Sequence, residues 1–140
     1  MGYSAGALSA VEMAVTNSSC GIVLEAPWPS VQAFADDSTF IGVPGSFVTT
    51  GEWDNIAKMA RYEQPYLHLH GAADLTVRLE LGEELFAGAA SERKEFVAVD
   101  DAAHGNYLGK DGEIPDVAET MGAGPYVEKI AGFIAGLDCD

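Results

Sequence analysis

Positive charge is scarce in this chain: seven Lys and Arg stand against 22 Asp and Glu, for a formal net charge of −15. Nucleic acids and anionic membrane surfaces both call for a basic face, so both are excluded as expected partners. The acidic excess reads as a soluble, self-repelling surface. Cysteine is scarce too. Cys20 and Cys139 lie far apart, without C-x-x-C spacing or a zinc pattern. Cys20 reads as a small buried hydrophobe ahead of a strand. A single disulfide between the two is open, but nothing in the sequence calls for it. No apolar run approaches the ~20 residues of a membrane span. There is no basic stretch followed by an apolar one, as a secretory signal requires. Met1-Gly2 is no myristoylation signal, because Gly6 stands where Ser or Thr is needed. These absences give a cytoplasmic expectation, and Asn17-Ser18-Ser19 carries no weight as a glycosylation sequon without a secretion signal.

What is present is a chain of 140 residues, 48% of them hydrophobic, enough for one domain with a real core. Helix and strand signals alternate along it, the mark of an α/β fold with a parallel sheet and flanking helices. Residues 5–16 predict a helix with Leu8, Val11 and Val15 on one face. Ile22-Val23-Leu24 is a short apolar run, as in a strand covered on both faces. Residues 28–53 read as a small lid or excursion, with a short helix near 30–35 and with Phe34, Phe40 and Phe47 between Trp28 and Trp53. A helix over 52–61 would bury Trp53, Ile56, Ala57 and Ala60. Pro65 to Gly71 is a second strand, residues 78–89 a helix, and Phe96 to Val99 a third strand. Residues 100–124 read as a polar loop with a helical patch near 115–121. The last helix starts at Gly124-Pro125 and lines up Tyr126, Ile130, Phe133 and Leu137.

Gly2-Tyr3-Ser4-Ala5-Gly6 spells G-x-S-x-G, in which a serine sits on a strained turn between a strand and a helix. The glycines are expected because a Cβ on either side of the serine would collide with the neighbouring strand and helix. The match alone is weak. Its company raises it. Asp74 follows the second strand in Gly71-Ala72-Ala73-Asp74, and His104 follows the third in Asp101-Ala102-Ala103-His104-Gly105. Ser, Asp and His would each sit on a loop leaving the carboxyl end of a strand, where ligands bind in parallel sheets.

On these residues the whole chain resembles the C-terminal half of an α/β-hydrolase, of the small-lid kind that includes serine-aminopeptidase-like and lysophospholipase-like enzymes. The segments G-Y-S-A-G-A, V-L-E-A-P-W, Y-L-H-L-H-G-A-A-D and D-A-A-H-G fall in that family's order. The resemblance implies Ser4 as nucleophile, Asp74 as the triad acid and His104 as the base. It also implies the N–H of Ala5 as an oxyanion donor, with Tyr3 beside it at the substrate site. A hydroxyl is a poor nucleophile until a base takes its proton, and an imidazole titrates near neutrality. The implied chemistry is acyl transfer to water on a small ester, thioester or amide, with no cofactor and no metal. Ala7, where many peptidase-like members carry another glycine, tilts the reading toward an esterase. A prolyl-oligopeptidase-type peptidase and a non-catalytic remnant or interaction domain are the alternatives. The oligomeric state is left open.

Each residue also has a plainer reading. Ser4 would serve as a helix N-cap, Asp74 as a turn cap, and His104 as an ordinary loop histidine. Asp100 and Asp101 rival Asp74 as the acid but precede His104 too closely. His68 and His70 share one face of a strand. They suggest either a two-histidine metal site lacking a third ligand, or a hydrogen bond from His70 near the site. The family's earlier strands, including the one leading into the serine turn, are expected to be missing. One oxyanion donor would go with them. The expectation is therefore a truncated reading frame whose isolated product is inactive or poorly folded.

Overall fold

The computed structural model describes residues 1–37, 53–105, 107–109 and 112–139. Four parallel strands form one sheet in the order β1 (Gly2–Tyr3), β2 (Ile22–Glu25), β3 (Tyr66–Gly71) and β4 (Lys94–Val99). Each strand is laid beside its predecessor. The helices are α1 (Gly6–Thr16), α2 (Val31–Asp37), α3 (Asn55–Met59), α4 (Leu79–Gly88), α5 (Val117–Met121) and α6 (Ala123–Ala135). A two-stranded antiparallel ribbon, β5 (Tyr107–Gly109) and β6 (Gly112–Ile114), stands apart from the main sheet. Among the described residues no helix is long and apolar enough to cross a membrane.

The sheet is covered on both faces: β2 offers apolar residues in both phases of the pleat, and β3 has Leu67 and Leu69 in one phase and Tyr66, His68 and His70 in the other. Ile22, Leu24 and Tyr66 face one side and pack with Ala7 and Val11 of α1, Met59 of α3 and Leu85 of α4. Val23, Leu67 and Leu69 face the other and pack with Val117 of α5 and, at the rim, Tyr126, Ile130 and Phe133 of α6. Leu24, Leu67 and Leu69 are fully buried, each stabilising the fold by about 1.5–3 kcal/mol.

Several expectations are corrected. The strand leading into the serine turn is not absent. Gly2 and Tyr3 pair with Leu24 and Glu25, so the sheet has four strands where three are legible in the sequence. α3 buries Asn55 and Met59 rather than the Trp53–Ala57–Ala60 face; Trp53 is exposed, and Asp54 caps the helix by accepting from the N–H of Ala57 at 3.0 Å. The loop over 100–124 contains the β5–β6 ribbon as well as the expected short helix. Cys20 is no isolated buried hydrophobe. It is joined to Cys139 in a disulfide that closes a separation of 119 residues.

The excursion over 28–53 is closed at its base. Ser30 bridges Asp54, the N–H of Val31 donates to the Trp53 carbonyl, and Trp28 stacks on Phe34 with ring centroids 3.8 Å apart. The rest of that expected lid, residues 38–52, lies outside the described residues.

Candidate active site

β1 ends at Tyr3 and α1 begins at Gly6, so Ser4 occupies a turn with almost no length. Its φ is +51°, a left-handed conformation rare for a residue with a side chain. Such strain costs on the order of 1–3 kcal/mol and persists only where the surroundings impose it. Here they do: the N–H of Ser4 donates to the Glu25 carbonyl at 2.9 Å, and its own carbonyl accepts from Ala7 at 3.0 Å. Of the two flanking glycines only Gly2 is sterically required. A Cβ on Gly2 would stand 2.6 Å from the Ala10 Cβ and 2.8 Å from the Ala7 Cα, whereas one on Gly6 would meet nothing within 4 Å. Ser4 is not the cap of α1. That position is Ala5, with no side-chain bond. The N–H of Ala5 lies at the helix start, where backbone donors have no intrahelical acceptor.

Asp74 follows β3 in a turn that its own side chain closes. Oδ1 accepts from the N–H groups of Thr76 and Val77, each at 2.8 Å. The plain turn-cap reading is therefore true of one oxygen. The other, Oδ2, lies 2.7 Å from Nδ1 of His104, and Nε2 of His104 lies 2.7 Å from Oγ of Ser4. The Asp74 side chain is fully buried while that of His104 is 17% exposed, so of these two it is the imidazole that meets water. The loops are tied to each other: Ala73 N–H donates to the Ala102 carbonyl, and Ala103 N–H to that of Pro115. Gly71 lets them close, since a Cβ there would stand 2.3 Å from the Ala102 carbonyl oxygen. Asp74, rather than Asp100 or Asp101, is the carboxylate at His104.

Tyr3 lies against the histidine loop. Its hydroxyl donates to the backbone carbonyl of His104 and its ring lies 5.2 Å from the imidazole. It steadies the histidine loop. Burial, with the negative charges of Glu25, Asp74 and Asp116, pushes its phenol above the usual value.

His68 and His70 are both fully buried, and each ring nitrogen has a partner. No lone pair is left for the imagined metal. Among the described residues no group of three or more His, Cys, Asp or Glu is placed to hold one. His70 does bond near the site, to the Val77 carbonyl at 2.8 Å.

Glu25 went unread in the sequence. It ends β2 beside Tyr3, is buried, and accepts from the Tyr126 hydroxyl at 2.5 Å. Burial pushes its carboxyl above the usual range and Asp116 adds to that, while the Tyr126 bond and His104 oppose it. The available signal was an acid closing a continuous apolar run, where an ordinary strand would end on a turn residue.

No protein-family model and no curated protein matches the sequence. Solved structures do. An esterase from Pyrococcus furiosus superposes with a TM-score of 0.68 at 17% identity, over 97% of this chain and 52% of its own. The esterase domain of a Rhodothermus marinus protein gives 0.65 at 18%, over 96% of this chain and 58% of its own. MGS-MChE2, an α/β hydrolase from a metagenome of Mar Chica lagoon sediments, gives 0.62 at 10%, over 96% and 59%. The chain thus spans between half and two-thirds of the length of these structures, at identities that speak to architecture alone. With its parallel sheet and flanking helices, this chain has the α/β-hydrolase fold over part of that fold's usual length.

Proposed function

We propose that the protein is a serine hydrolase of carboxylic esters or related small acyl compounds, with Ser4 as nucleophile, His104 as general base and acid, and Asp74 as the orienting carboxylate. The observation that carries this reading is the unbroken line from Ser4 Oγ through both nitrogens of His104 to Asp74 Oδ2, 2.7 Å at each link, on a turn strained at the serine. That two of the structural neighbours are esterases favours esters over other acyl compounds.

In this mechanism Nε2 of His104 takes the Ser4 hydroxyl proton as Oγ attacks the acyl carbon. The tetrahedral oxyanion is stabilised by the N–H of Ala5 and the positive end of α1. Asp74 holds the proton on Nδ1 and stabilises the imidazolium. Collapse breaks the bond to the leaving group, which departs with the proton from Nε2. Water repeats the sequence on the acyl-serine, giving the free acid and restoring Ser4.

A fluorophosphonate probe and p-nitrophenyl acetate test this. On this reading, and against the expectation of an inactive isolated product, the wild type should be labelled and hydrolyse the ester, and Ser4→Ala should lose both, by about 10⁴–10⁶-fold in rate. A folded, soluble wild type that neither labels nor turns over would instead be a non-catalytic domain. The expected cytoplasmic placement is opposed by the Cys20–Cys139 bond, since disulfides persist chiefly in oxidising compartments.

A further inference from the structure

β3 carries Tyr66, His68 and His70 at alternate positions, so all three side chains leave the same face of the sheet, toward α4. All three are fully buried. The Tyr66 hydroxyl lies 2.5 Å from Nδ1 of His68, Nε2 of His68 lies 3.1 Å from Nδ1 of His70, and Nε2 of His70 lies 2.8 Å from the Val77 carbonyl oxygen. A carbonyl only accepts, so His70 carries its proton on Nε2. Its Nδ1 must then accept, His68 must donate from Nε2, and Nδ1 of His68 must accept from Tyr66. One backbone oxygen fixes the tautomer of both rings.

The run continues past Val77. The N–H of Val77 donates to Oδ1 of Asp74 at 2.8 Å, and Nε2 of His70 stands 3.8 Å from Oδ2. Every donor from Tyr66 onward points toward Asp74. From the other side Ser4 and His104 point to it as well. The carboxylate is where two oppositely directed series of hydrogen bonds meet.

We propose that Tyr66, His68 and His70 are positioning residues: their hydrogen-bond chain fixes the carbonyl of Val77 and, through that residue, the orientation in which Asp74 presents Oδ2 to His104. The inference rests on Ser4, His104 and Asp74 acting as a triad. Polar groups in a core are costly unless fully bonded, and three apolar side chains would fill this space without that demand. α4 is cut to fit the rings: a Cβ on Gly82 would stand 2.3 Å from Nδ1 of His70 and 2.9 Å from Nε2 of His68. Burial lowers the proton affinity of both imidazoles, which keeps them neutral, as a chain running in one direction requires.

The test compares three substitutions at His70, read by fluorophosphonate labelling rate, ester kcat and KM, and the NMR resonance of the His104 Nδ1 proton. Gln reproduces the donor at Nε2, Asn reproduces only the Nδ1 end, and Leu reproduces neither. His70→Asn and His70→Leu should lower kcat by about 10–100-fold with KM nearly unchanged, as expected for a misplaced catalytic group, and should shift or broaden the His104 resonance. His70→Gln should recover most of the loss. Equal losses in the Gln and Asn variants, or folded Leu variants at wild-type rate, would overturn the proposal. Where the Leu variant does not fold, the Gln–Asn contrast decides. If the wild type is not labelled at all, the triad reading is what fails. Imidazole ¹⁵N shifts then still judge the chain: Nε2–H tautomers at His68 and His70 support it, and any other protonation removes it.

Discussion

Oδ2 of Asp74 faces Nδ1 of His104 at 2.7 Å while Oδ1 is held by two backbone N–H groups, so the two oxygens of one carboxylate have separate duties. In Asp74→Asn the amide oxygen stays with the two backbone donors and the NH₂ turns toward His104. The imidazole must then carry its proton on Nε2, where it cannot accept from Ser4. Fold and thermal stability should change little, but the ester kcat should fall by about 10⁴-fold, the cost of a wrong tautomer in triads of this kind. Steady-state kinetics beside circular dichroism check it.

Gly82→Ala sets helix propensity against packing. Alanine favours the helix by about 1 kcal/mol. The new Cβ, however, would collide with rings that hydrogen bonds hold in place, and overpacking of this sort costs about 1–3 kcal/mol. Packing should win, giving a lower Tm together with a lower labelling rate.

Stability should fall on mild acidification. Burial, reinforced by His70, holds His68 well below the usual imidazole value; burial lowers His70 too. Tyr66 and His70 face the first ring, and Asp74, His104 and Glu83 act on the second. Unfolded histidines titrate near ~6.5, so below that pH the unfolded chain binds more protons and the folded state loses ground until the depressed folded values are reached. Each proton contributes up to about 1.4 kcal/mol per pH unit. Urea unfolding between pH 7.5 and 5 should show this slope, and His68→Gln should flatten it.

The disulfide should matter to stability far more than to the site. Closing a separation of 119 residues stabilises by about 5 kcal/mol on chain-entropy grounds. Cys20→Ser with Cys139→Ser should lower the denaturant midpoint accordingly, and reductant should lower it only in the wild type.

Ser4, Asp74 and His104 were legible because each follows a stretch whose pattern can be read: a Gly-flanked turn and two apolar runs that became β3 and β4. β1 was not legible, because two residues carry no periodicity and its existence depends on pairing with Leu24 and Glu25. The β5–β6 ribbon was not legible, because it is two three-residue strands inside a polar stretch. The face of α3 was misread because Asn55 is buried on account of a hydrogen bond, from its Nδ2 to the Trp28 carbonyl at 2.8 Å, which hydrophobicity cannot reveal. The alternation that puts His68 and His70 on one face was plain. Their linkage to the acid turn needed the Val77 carbonyl, whose place is set by the tertiary fold.

Joining residues 20 and 139 turns most of the polypeptide into a covalent ring. Asp74 and His104 lie within it, while Ser4 lies outside it. A single protease cut inside the ring would leave both pieces attached to each other. A cut between residues 5 and 19 would release Ser4 from Asp74 and His104, so limited digestion run without reductant separates damage to the scaffold from loss of the serine segment.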